Sequence, residues 1–180
     1  MENKEIEELA LLHGFADAKV IGTDKIVFCL EFRKYCEENL CGEYGNNYSC
    51  PPDCGSADQM KKRALSFTKA LVVRSTCLVT DLSDTKAIKE AKLFHNGAML
   101  SLINNLKNVD NREGIMAGAS GCMICNTCSR LESKPCAHPH LRYSCLSAYC
   151  INVMALAQEC GMDYTYKDGE LSFFGAYFYN

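Results

Sequence analysis

Apolar residues recur along this chain with two distinct periods, and the elements they predict alternate with two stretches that have no period. Lys4 to Leu12 reads as a helix, with Ile6, Leu9, Ala10 and His13 on one face and Gly14 as its stop. Ala18–Ile21 and Lys25–Leu30 read as short strands joined by a turn at Gly22-Thr23-Asp24. A short helix follows Ser56, capped by Ser56 or Asp58, with Met60, Ala64 and Leu65 facing inward. Lys69–Val79 is rich in β-branched residues and predicts a strand. Asp84–Lys107 is the clearest helix, with Ile88, Ala91, Phe94, Ala98, Leu102 and Leu106 every three to four residues. Tyr143–Cys160 predicts another, with Leu146, Tyr149, Val153, Leu156 and Cys160 on one side and Gly161 closing it. The end, ELSFFGAYFYN, reads as a strand that adds to the sheet.

The aperiodic stretches run from Tyr35 to Gly55 and from Gly114 through the segment GCMICNTCSRLESKPCAHP. Gly, Asn and Pro punctuate the first, and Gly and Ala lead into the second, so something other than an apolar core must hold them. Both are rich in cysteine. The chain of 180 residues contains 13 cysteines, about 7%, just under the level of small disulfide scaffolds. A disulfide framework is not the expectation. The count is odd, the start MENKEIEELALLHG lacks the basic-then-apolar build of a secretory signal, and the chain is long enough to hold a core without staples. These features predict a reducing cytoplasm, where clustered thiols mean metal or redox chemistry. A net charge of -3 and a pI of 5.8 argue against nucleic acid. No apolar run reaches the ~18 residues of a membrane span.

Cys122, Cys125 and Cys128 form Cys-x-x-Cys-x-x-Cys, and Cys136 follows. Tight spacers let a looping backbone deliver several thiolates to one side of a compact object, and the last ligand arrives from farther along. A [4Fe–4S] cluster is the first reading. Structural zinc is the second, although its cysteines normally come as two separated pairs. Ordinary thiols are the third. His138 and His140 lie nearby as substitute ligands, or as bystanders. Cys36, Cys41, Cys50 and Cys54 offer a second set, with Cys50 followed by Pro51-Pro52, a step that recurs at the end of cluster motifs. Their spacing is not a standard ferredoxin run. Some of them could instead complete the first site or pair on oxidation. Arg33, Lys34 and Tyr44 are candidates to line that site, or solvated loop residues. Cys29, Cys77, Cys145, Cys150 and Cys160 read as core packing, with Cys145 the one nearest the second motif.

The segments Cys41…Tyr44-Gly45…Tyr48-Ser49-Cys50-Pro51-Pro52 and Cys122-x-x-Cys125-x-x-Cys128…Pro135-Cys136-Ala137-His138-Pro139 together resemble an uncharacterised prokaryotic family of predicted metal-binding proteins. The resemblance covers most of the chain, including KALVV and Arg142-x-Ser144…Ala148. It implies metal binding, with an iron–sulfur centre the usual suspicion, and no reaction. Cys145 and Cys150 depart from the family's pattern.

The expectation is therefore one α+β domain over residues 1–180. A small mixed sheet packs against helices, and cysteine-rich loops at 35–55 and 121–140 gather at one edge. The function expected is an iron–sulfur protein with one or two [4Fe–4S] clusters, serving a redox protein partner by electron transfer. An enzyme with an open cluster iron and a zinc-binding interaction protein are the alternatives.

Overall fold

The computed structural model describes residues 1–79, 81–167 and 169–180. Its elements in chain order are α1 (Asn3–Leu12), β1 (Asp17–Gly22), α2 (Arg33–Glu37), α3 (Ala57–Leu65), β2 (Lys69–Leu78), α4 (Thr85–Asp110), β3 (Gly114–Gly118), β4 (Ser144–Cys145), α5 (Val153–Cys160) and β5 (Glu170–Tyr179). The five strands form one mixed sheet in the order β1-β2-β5-β3-β4, and among the described residues only the β3–β4 pair is parallel. The chain is α+β, as its pattern predicts.

Why the run Ala70–Val73 is apolar at every position becomes clear from the sheet. Side chains alternate across a strand, so an uninterrupted apolar run is buried on both faces. Ala70 and Val72 meet Met60 and Ala64 of α3 and Leu156 and Ala157 of α5 on one face. Leu71 and Val73 meet Ile6 and Ala10 of α1 and Met99, Leu102 and Leu106 of α4 on the other. β5 does the same, sending Phe174, Ala176 and Phe178 to the first layer and Tyr177 and Tyr179 to the second. The β2–β5 pair runs in register for ten residues, from Lys69 opposite Tyr179 to Leu78 opposite Glu170, and is the spine of the molecule.

Several expectations need correction. Lys25–Leu30 is not a strand. Thr23–Lys25 makes a 3₁₀ turn, and Phe28 contributes only an isolated bridge to Ile151, so β1 pairs with distant β2 rather than in a local hairpin. Leu65 and Phe94 face outward, Phe94 with 70% of its surface exposed. The inner stripe of α4 instead includes His95 and Asn96, whose polarity hides it from an apolar pattern. The helix expected over Tyr143–Cys160 begins only at Val153, where Asn152 caps it by accepting from the Ala155 amide at 3.1 Å. Upstream, Ser144–Cys145 pairs with β3, and Cys150 takes a left-handed φ of 57°, which no helix interior allows. Leu146 and Tyr149 are buried as expected, but from a turn.

His95 has no exposed surface; Ser75 Oγ lies 2.6 Å from its Nδ1, and Phe15 packs edge-on at 5.5 Å. Burial lowers its pKa from 6.5 to about 4. Between those values the unfolded chain binds a proton that the folded chain refuses, so stability falls as the pH drops. The expected loss is about 3 kcal/mol, complete below pH ~4. Urea melts at pH 7 and pH 5 should differ by about 2 kcal/mol of that loss, and His95→Gln should flatten the dependence.

Candidate metal centre

Both cysteine loops are inserted between strands that neighbour each other in the sheet. Residues 23–68 connect β1 to β2 and carry the first loop; residues 119–143 connect β3 to β4 and carry the second. The first loop turns repeatedly. Asn39 at φ 54° ends the short helix that holds Cys36, and its Oδ1 accepts from the Tyr44 amide at 2.9 Å. The Gly45 amide donates to the Pro51 carbonyl at 2.8 Å, which folds the Cys-Pro-Pro segment back on Cys41. In the second loop Cys128 leads into a single 3₁₀ turn, Ser129–Glu132, and Ser129 Oγ donates to the Pro135 carbonyl at 2.9 Å, closing the excursion before Cys136.

The two loops are bonded to each other. Ser49 is fully buried, and its Oγ accepts from the Cys122 amide at 2.7 Å while donating to Asn47 Oδ1 at 2.9 Å. Asn47 Nδ2 donates to the Cys122 carbonyl at 3.0 Å. Tyr48 donates its hydroxyl to the Lys134 carbonyl at 2.8 Å, and Arg130 pairs with Asp53 at 2.9 Å. Gly121 permits the close approach: a Cβ there would stand 2.8 Å from Cys50 Sγ. From behind, Asn96 of α4 accepts from the Ala119 amide at 3.0 Å and donates to Ser120 Oγ at 2.9 Å, and Tyr143 accepts from the Met123 amide at 3.1 Å. Ser49→Ala would strand the Cys122 amide without a partner. It is expected to lower stability by about 1–3 kcal/mol, the cost of an unsatisfied buried donor, as a denaturant melt would show.

Between the loops and the start of α4 lies a cleft of about 1100 Å³. Cys36, Cys41 and Cys50 line it from the first loop, Cys122, Cys125, Cys128 and Cys136 from the second, and Cys145 from β4. His138 and Tyr44 also line it; His140 does not, and Lys34 is exposed with its ammonium over the Tyr35 ring. Cys54 is placed elsewhere. It is buried in the apolar layer with Met60, Leu146 and Tyr149, with Arg33 Nη1 3.8 Å from its sulfur. Arg33 itself turns inward and donates to the Ala148 carbonyl at 2.8 Å. All thirteen cysteines are free thiols. Cys150 is buried, and Cys160 packs on the first apolar layer. Among the described residues no three His, Cys, Asp or Glu side chains converge on one point as ligands of a single ion do.

Burial raises the pKa of the thiols of Cys36, Cys50 and Cys122 above that of a free cysteine, and of Cys145 to about 11. At neutral pH these groups stay protonated until a cation replaces the proton, so filling the cleft with metal releases protons. The backbone amides of Ile124 and Tyr143 oppose the shift at Cys122. That is the arrangement that steadies a thiolate ligand.

Asn47, Ser49, Asn96 and Tyr143 hold the site and are not candidates on sequence grounds. Only the run Tyr48-Ser49-Cys50-Pro51-Pro52 hints at Ser49, as a small hydroxyl beside a motif cysteine.

Fold and cleft define a cysteine-rich α+β protein whose thiols converge from two loops on one opening. The chain belongs to the family described as predicted metal-binding protein (DUF2284), which matches residues 19–178. No curated protein and no solved structure matches it. Among the described residues, no helix is long and apolar enough to cross a membrane.

Proposed function

We propose that this metal-binding protein carries iron–sulfur clusters in its thiol cleft and exchanges electrons with a redox protein partner. One observation carries the reading: eight cysteines from three separate segments line a single cleft. An all-thiol donor set is soft and selects iron–sulfur or zinc. A lone tetrahedral zinc gathers its sulfurs within about 2.3 Å of one point, whereas these thiols spread around a volume that suits multi-atom clusters. Cys122, Cys125, Cys128 and Cys136 would hold one [4Fe–4S] cluster, and Cys36, Cys41 and Cys50 would contribute to another. Such a centre, when bound, supplies one-electron transfer.

The chain's own groups have definable roles. The backbone amides of Ile124 and Tyr143 favour the anion at Cys122. Ser49 and Asn47 fix the separation of the two thiol sets. Around the mouth, Leu40 (90% exposed), Leu131 and Leu93 form an apolar rim, beside Lys89 and Lys92. Exposed apolar residues grouped around a functional opening suit a protein partner, and the lysines suit an acidic one. A single domain working in the cytoplasm, away from nucleic acid and membranes, accords with free thiols and a net charge of -3.

The size of the cleft favours one second reading, an enzyme. About 1100 Å³ lies just above the usual range of small-molecule pockets, and a substrate could enter beside a cluster. A change in the cluster's spectrum on adding candidate small molecules would distinguish the enzyme from the relay.

Anaerobic purification followed by iron, sulfide and zinc analysis tests the proposal. Brown protein with iron and sulfide in equal amounts is the expected result. Colourless protein with stoichiometric zinc and no labile sulfide would overturn it.

A further inference from the structure

Three thiols of the first loop reach the cleft, one short of the four that close a cubane cluster. Cys54, the fourth thiol in that stretch of sequence, does not reach it. We propose that Cys145 of β4, and not Cys54, completes the four-thiolate set begun by Cys36, Cys41 and Cys50. The assignment rests on the iron–sulfur reading above.

Position is the first argument. Cys145 packs against the first apolar layer from outside and still lines the cleft with those three cysteines, whereas Cys54 is 5% exposed, is a member of that layer and does not line the cleft. Orientation is the second. The Ala148 amide donates to Cys145 Sγ at 3.3 Å. An N–H aimed at sulfur stabilises the anion more than the thiol, and hydrogen bonds to ligand sulfurs are a normal means of tuning clusters. Cys54 has a different neighbour, the guanidinium of Arg33, itself anchored on the Ala148 carbonyl. That contact belongs to packing between the loop and the turn after β4.

Proximity is the third. Cys145 lies close enough to both Cys50 and Cys36 for the three thiols to feel one another. Cys54 also lies within reach of Cys145, but from the core side. Rigidity is the fourth: Cys145 sits in a strand, paired with Gly118 of β3, four residues before Cys122 begins the other thiol set. A ligand on a sheet strand is held more firmly than one on a loop. The eight thiols of the cleft then divide evenly, four from the second loop and four from the first loop plus β4.

Iron and labile sulfide counts on anaerobically prepared wild type, Cys145→Ser and Cys54→Ser test the assignment. The expected result is about eight iron atoms per chain in wild type and in Cys54→Ser, and about four in Cys145→Ser. Full iron in Cys145→Ser, or halved iron in Cys54→Ser, would overturn it. A wild-type chain with about four iron atoms would overturn it while leaving the first cluster standing. A wild-type chain with none would sink the iron–sulfur reading itself. Should Cys145→Ser lose its circular dichroism, Cys145→Asp replaces it, since a carboxylate can still ligate iron. The electron paramagnetic resonance of the reduced protein should then change for one cluster, and an unaltered spectrum would count against the proposal.

Discussion

Cys125→Ser is expected, on the two-cluster assignment proposed above, to carry about half the iron and labile sulfide of the parent chain, about four atoms of each in place of about eight. Cys125 is the middle thiol of Cys122-x-x-Cys125-x-x-Cys128 and lines the cleft between its neighbours. Serine keeps the size of the side chain but offers a harder oxygen with a far higher pKa, a poor substitute for a soft thiolate. The surrounding segment contributes no helix or strand residue, and its anchors to Ser49, Asn47 and Tyr143 involve residues 122 and 123. The loss should therefore appear in metal content and visible absorbance, with far-UV circular dichroism unchanged. Iron content equal to the parent's would remove Cys122–Cys136 as a cluster site.

The second large effect lies outside the thiols. Gly114 opens β3, opposite Tyr179 of β5. A Cβ at this position would run into the Phe178 carbonyl oxygen and come within 2.9 Å of the Tyr177 ring. Neither obstacle can yield. Phe178 is backbone in the central strand, paired on its other side with Ala70, and Tyr177 is pinned by the bond from its hydroxyl to the Arg112 carbonyl at 2.6 Å. Gly114→Ala is expected to cost about 3 kcal/mol, the upper range for overpacking. For a chain of this size that is a fall in Tm of about 6–12 °C. A thermal melt by circular dichroism measures it, and an unchanged Tm would mean that β3 does not lie against β5 as described.

Gly114 also shows why part of the fold is invisible to pattern. The segment Gly114–Gly118 has two glycines in five residues and reads as a loop. It is a strand because β5 offers a paired edge and because glycine alone fits beneath Tyr177 and Phe178. Strands and helices that carry their own burial signal, such as KALVV, the C-terminal strand, α1 and most of α4, are legible from residue types. Those that depend on a distant partner are not. Leu146, Tyr149, Val153, Leu156 and Cys160 fit a helical period, but the short pairing of Ser144–Cys145 with β3 prevails over the first half of that run. On α4, the buried partners His95 and Asn96 replace Phe94 because each finds a hydrogen bond, to Ser75 and to the loop entering the thiol motif.

The candidate site divides along the same line. Seven of the eight cleft thiols announce themselves by spacing within the two aperiodic loops. Cys145 does not, since it reaches the cleft through strand pairing with Gly118 rather than through sequence neighbours. Cys54 fails in the opposite sense: its spacing matches the motif, but the Cys54 amide donates to the Cys50 carbonyl at 3.0 Å, and that turn carries its side chain into the apolar layer.

The two apolar layers on either side of β2 and β5 are built mainly by the sheet and its helices; the thiol-bearing segments add Cys54 and Cys145 to one, and Cys122, Ile124 and Tyr143 to the other. Chelation would therefore empty the opening without melting the chain. Unlike small zinc modules, which unfold when stripped, this protein would meet its inorganic guest as an already standing frame. Loss and reloading could then be cycled on one preparation.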